Sequence, residues 1–164
     1  MISELKLLDI DVKEFDKRLR SLNAVAWPEK KLRRNLYSLD EHNWIKLQDE
    51  RRQVMLEIRN RKEHQVIKLD ANFEKASVIL QDLGHTPTAY HEVKDSLYLA
   101  GDIMVNVMQW PKIPPYAELS GPEAKVNKLI KRLGFSVSNA KKIGTKALFR
   151  LYGIELEKQK NLKF

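Results

Sequence analysis

The 164 residues carry 30 lysines and arginines against 22 acids, a formal charge of +8, with 43% hydrophobic residues and no cysteine. Such a length holds one domain with a real core, or one domain made of two similar halves. The missing cysteines exclude disulfides, thiolate metal sites and cysteine nucleophiles, and fit a reducing cytoplasm. No apolar run approaches the ~20 residues of a membrane-spanning helix, and the early acids of "MISELKLLDIDVKEF" argue against a signal peptide.

Taken in chain order, "ISELKL" alternates and reads as a strand. In "DIDVKEFDKRLRSLNA" the residues Val12, Phe15, Leu19 and Leu22 make one helical stripe. Asp11 is its expected N-cap, with Glu14 completing a capping box. The runs "RRNLYSL", "WIKLQ", "QVMLEIRNR" and "HQVIKLD" read as strands, with "QDERRQ" a turn-like break. In "DANFEKASVILQDLG" a second stripe uses Phe73, Ala76, Ile79 or Leu80, and Leu83, and Gly84 stops it. "SLYLAG", "DIMVNVMQW" and "YAELS" are further strands, broken at "LAGD", with the prolines of "WPKIPP" leading into the last of them. A third helix opens at Pro122 and carries Val126, Leu129, Ile130 and Leu133 up to Gly134. A short helix is expected around Thr145–Tyr152, with Phe149 and Tyr152 on its apolar face. The first two helices each follow an extended stretch and lead into strands, which reads as a two-fold internal repeat. No linker or low-complexity segment divides the chain, so residues 1–164 are expected to form a single domain.

About eight strands result, consistent with antiparallel strands that close on themselves. Their alternation gathers charge on one face. Glu4 and Lys6 share a face with Ile2. Lys46 and Gln48 oppose Ile45 and Leu47. Glu57, Arg59 and Arg61 oppose Leu56 and Ile58, while Glu118 and Ser120 oppose Ala117 and Leu119. One reading is the wet side of an ordinary half-buried sheet. The other is a closed barrel with helices outside and these charges in a lumen, where cations would hold a phosphate chain and carboxylates a divalent ion.

Other polar features read as surface. His42, His64, His85 and His91 show no ligand spacing. Met104 and Met108 are expected to fill space. Lys125, Lys128 and Arg132 form a basic helical stripe without interleaved aromatic residues, so nucleic-acid binding is not favoured.

Several segments, in order and spacing, resemble the CYTH superfamily of class IV adenylate cyclases, thiamine triphosphatase and related triphosphate hydrolases. "ISELKL" resembles its E-x-E-x-K opening strand. "WIKLQDERRQVMLEIRNR" resembles its W-I-R-L-R-D-E … L-T-I-K-x-R hairpin. "NFEKASVILQDLG" resembles the helix opening its second half. "WPKIPPYAELSGP" resembles its W-P … P-x-L-E-I-E-G-P strand, and "LFRLYGIELEKQKNLKF" its closing Y-G-I … L-x-F. The resemblance implies an α+β fold: a closed antiparallel eight-stranded barrel, the triphosphate tunnel, with covering helices and two pseudo-repeated halves. It implies a cytoplasmic protein that binds a triphosphate such as ATP with Mg²⁺ or Mn²⁺ and acts as an adenylate-cyclase-like enzyme or a triphosphatase. Residue by residue, Lys6 is the proton-handling candidate, on the expectation that burial among cations lowers its pKa. Arg34, Lys46, Arg59, Arg61 and Lys94 are the phosphate-binding candidates, and Glu4, Glu118 and Glu57 the metal-binding ones. Ile2, Gln48 and Ser120 stand where the family pattern has charged residues. The alternative is therefore a module that binds a phosphate-rich ligand without turning it over.

Overall fold

The computed structural model describes residues 2–39, 42–50 and 53–164. The elements in chain order are β1 (Ile2–Leu7), α1 (Val12–Ser21), β2 (Val25–Ala26), β3 (Lys30–Ser38), β4 (Trp44–Asp49), β5 (Val54–Arg59), β6 (His64–Leu69), α2 (Phe73–Asp82), β7 (Ala89–Ala100), β8 (Ile103–Gln109), β9 (Tyr116–Pro122), α3 (Glu123–Arg132), α4 (Thr145–Leu151) and β10 (Asn161–Leu162). The fold is α+β: a ten-stranded sheet with four helices among the described residues. Its ladders are antiparallel except for the two-residue β10, which runs parallel to β7. The expected turn "QDERRQ" runs through Arg51 and Arg52, which lie outside the described residues.

The strand order is β1-β9-β8-β7-β3-β4-β5-β6, with β2 and β10 both on β7. Among the described residues no ladder joins β1 to β6. The expected closed eight-stranded barrel is thus corrected to an open path of strands. The alternation that led to it reports which face of each strand is polar, and an open sheet meets that pattern equally well. The strand β6, at one end of the path, is exposed over most of its length, including Val66 and Ile67.

The chain divides into two compact units. One comprises Met1–Lys30 and Lys94–Leu156, the other Lys31–Val93 and Glu157–Phe164. In the first, α1 and α3 cover the apolar face of β1, β9 and β8. Phe15 and Leu19 of α1 and Val126, Leu129, Ile130 and Leu133 join Leu7, Val105, Val107, Ala117 and Leu119 in one core. Asp11 caps α1 as expected, accepting from the Glu14 amide at 2.9 Å. The Glu14 carboxylate does not complete the box; it accepts from Arg18 Nε at 3.0 Å instead. Gly134 has φ +82°, and a Cβ there would lie 2.6 Å from Arg18 Nη1. That guanidinium donates to the Leu133 carbonyl at 2.6 Å, so it satisfies an orphan acceptor at the end of α3. In α4 the buried residues are Leu148 and Phe149. Tyr152 is instead the C-cap, its hydroxyl donating to Asp9 Oδ1 at 2.9 Å.

In the second unit α2 packs Phe73, Ala76 and Leu80 on Tyr37, Ile45, Leu47 and Val54. Leu80 rather than Ile79 therefore carries the stripe, and Ile79 and Leu83 are exposed. Asn72 caps this helix, accepting from the Lys75 amide at 2.8 Å. Arg33 lies over the Phe73 ring at 4.6 Å and bonds Asp49 at 2.9 Å as well as Glu74. Residues 157–164 return to β7: Leu162 is fully buried, the Tyr90 amide donates to the Lys160 carbonyl, and the Phe164 amide donates to Glu92.

Candidate functional site

Each unit turns one sheet face toward its helices and leaves the other polar. In the first unit the polar face is built by register. Leu97, Asn106, Glu118 and Lys6 stand opposite one another across β7, β8, β9 and β1. The next row holds Leu99, Met104, Ser120 and Glu4. Paired residues in antiparallel ladders share a face, so these side chains are neighbours. Lys6 is only 3% exposed. Its ammonium lies 2.7 Å from Glu118 Oε2 and 3.0 Å from Glu4 Oε1. Along the same face Asn106 donates to the buried Asp95 at 2.8 Å.

The expectation that Lys6 sits among cations with a lowered pKa is corrected here. Burial does pull its pKa down, but the hydrogen bonds and charges of Glu118 and Glu4 outweigh it. The net direction is upward, as expected of an ammonium held between two carboxylates. Sequence reasoning overlooked Lys141, whose backbone pairs with that of Lys6 through two 2.8 Å hydrogen bonds.

In the second unit the polar face of β3, β4 and β5 carries Arg34 opposite Gln48, Lys46 opposite Glu57 and Trp44 opposite Arg59. It continues on β6 with His64 opposite Arg59 and Lys68 opposite Met55. Lys46 pairs with Glu57, which also meets His64 Nε2 at 2.7 Å. Burial pushes the Glu57 carboxyl up, but the bonds and charges of Lys46 and then His64 prevail and hold it below the usual range. Arg59 is exposed on this face. Arg61 is not on a strand: β5 ends at Arg59, and a turn follows in which Asn60 Oδ1 accepts from the amides of Lys62 and Glu63.

Lys94 falls in the first unit opposite Gln109. Alternation places it on the face of Ser96 and Tyr98, not on that of Lys6 and Glu118. Of the histidines, His91 is buried, contrary to the surface reading, and its ring meets the Gln159 carbonyl at 2.6 Å. Burial, joined by the charge of Arg34, lowers its pKa against the pull of that bond. In the basic stripe on α3, Lys125 is paired with Asp102 at 2.6 Å.

The metal candidates divide between the units. Glu4 and Glu118 share the Lys6 ammonium, and Glu57 is held by Lys46 and His64. Among the described residues no group of three or more acids or histidines could hold a metal ion. Carboxylates already paired with an ammonium in this way offer no free ligand set to a resident divalent cation. Among them, too, no helix is long and apolar enough to cross a membrane.

No protein-family model matches this chain, and no curated protein matches it. Solved structures do. A conserved hypothetical protein of Pyrococcus furiosus matches with TM-score 0.63 and 14% identity over 88% of this chain and 98% of that one. A protein assigned as an adenylate cyclase from Vibrio parahaemolyticus matches with TM-score 0.66 and 10% identity, over 91% of this chain and 97% of its own. A Hippeastrum protein, assigned as an adenylyl cyclase and found to have a dominant triphosphatase activity, matches with TM-score 0.53 and 14% identity. It is covered over its full length, and this chain over 97%. Identities this low show a shared fold, in keeping with the CYTH-type fold that the motifs resemble.

Proposed function

We propose that this chain binds a triphosphate, ATP or another organic or inorganic one, and turns it over as an adenylate-cyclase-like enzyme or a triphosphate hydrolase. The observation that carries the proposal is the polar face of the second unit, where Arg34, Lys46 and Arg59 stand on adjacent strands. Arginine forks and lysine point charges are the groups that grip phosphate oxygens. The fold likeness to a triphosphatase and to an assigned adenylate cyclase supports the substrate class. A divalent cation enters the proposal as the counter-ion that a triphosphate brings with it, not as a resident metal.

A second reading, binding without turnover, is favoured by Lys6. Its ammonium is held by two carboxylates and cannot remove a proton from a nucleophile. A thermal-shift titration with inorganic triphosphate, ATP and thiamine triphosphate tests the proposal. The melting temperature of the wild type should rise by mass action. Lys46→Ala with Arg59→Ala should need at least tenfold more ligand for the same rise. No rise with any of the three ligands overturns the proposal. Assays of released phosphate and cyclic AMP on the same samples then separate turnover from binding.

A further inference from the structure

We propose that Lys6 is a built-in cation that takes the place of a divalent ion between Glu4 and Glu118. The group lies wholly within the first unit and does not depend on the triphosphate reading. Lys6 reaches Glu118 on the strand opposite it and Glu4 two residues back on its own strand. Both carboxylates thus converge on one point, at 2.7 and 3.0 Å, and that point is occupied by Nζ. The side chains in register beside the group are Ser120 and Asn106, neither of them an acid. Two carboxylates and one ammonium leave a net charge of about −1. Mg²⁺ or Mn²⁺ entering the same point would face the ammonium at close range, a repulsion that water around Glu4 (55% exposed) and Glu118 (29% exposed) softens but does not remove. At 3% exposure the ammonium has little solvent to swing into, so it stays on the two carboxylates. Two of its three N–H donors are already committed. Lys6 therefore orders Glu4 and Glu118 as a metal would and keeps a metal out. It is a positioning residue for the polar face.

The test is a Mn²⁺ titration of the full chain, free of triphosphate, with unbound Mn²⁺ read by electron paramagnetic resonance. Wild type and Glu118→Gln should give superimposable curves. Lys6→Met should bind one further Mn²⁺ at least tenfold more tightly than wild type. Adding Glu118→Gln to Lys6→Met should abolish that gain. A wild-type site that disappears in Glu118→Gln overturns the proposal, as does a folded Lys6→Met protein with no gain. If Lys6→Met does not fold, the wild-type and Glu118→Gln curves decide alone. Because no phosphate is present, this outcome is distinct from that of the thermal-shift test.

Discussion

The two units solve the same packing problem and differ in the sign of their polar faces. Each lays a capped, ten-residue helix with a buried phenylalanine anchor on alternating strands: Phe15 on α1, Phe73 on α2. On the polar face of the first unit, Lys6 is shared by Glu4 and Glu118, with Asp95 buried nearby on the same face. On the polar face of the second, Arg34, Lys46, Arg59 and Lys68 share the face with Glu57, which pairs with Lys46 and His64. Alternation fixes where charge is allowed and leaves its sign open. One architecture can therefore carry an acidic face in one unit and a basic face in the other.

The largest effects test the shared part. Phe15→Ala and Phe73→Ala should each cost about 3–5 kcal/mol in urea unfolding, because both rings are buried. A cost below about 1 kcal/mol for either would break the parallel between α1 and α2. Next come the caps. Asp11→Ala and Asn72→Ala each remove the acceptor for one helix amide and should each cost about 1 kcal/mol. The smallest effect separates the units. His91 belongs to the second, and its folded pKa lies below the ordinary value of 6.5. Below about pH 6.5 the unfolded chain takes up a proton that the folded chain refuses. The stability due to neutral His91 is thus present above that pH and is lost as pH falls toward the lowered value. Urea unfolding at pH 7.5 and 5.5 should show a decline with acid that His91→Gln flattens. An unchanged slope in His91→Gln would place the decline elsewhere.

The helices and the face of each strand could be read from the sequence because both depend on local periodicity. Lys6, Glu118, Lys46, Glu57 and Arg59 could be assigned to polar faces from alternation alone. The surroundings of Lys6 could not, because the register of β1 against β9 joins residues more than a hundred positions apart and decides which charge it meets. Arg61 was carried past the strand end because Asn60 reads as one more alternating residue, whereas its side chain closes a turn. Lys94 is a candidate by the resemblance and not by alternation; its even spacing to Ser96 and Tyr98 puts it on the face opposite Asp95 and Leu97. His91 is buried by residues nearly seventy positions away, and no local pattern signals that. The two-residue strands β2 and β10 exist only through β7 and have no periodicity to detect.

The division of the chain has a topological consequence. The second unit is made of Lys31–Val93 and Glu157–Phe164, so the polypeptide leaves the first unit, enters the second, returns, and enters the second again. No single cut yields two whole units. A fragment ending at Val93 would lack the Leu162 plug and the bonds that Tyr90, His91 and Glu92 make with residues 159–164. To isolate the second unit, Glu157–Phe164 would have to be spliced back behind Val93. The order of the segments along the chain thus ties the integrity of each unit to the continuity of the other.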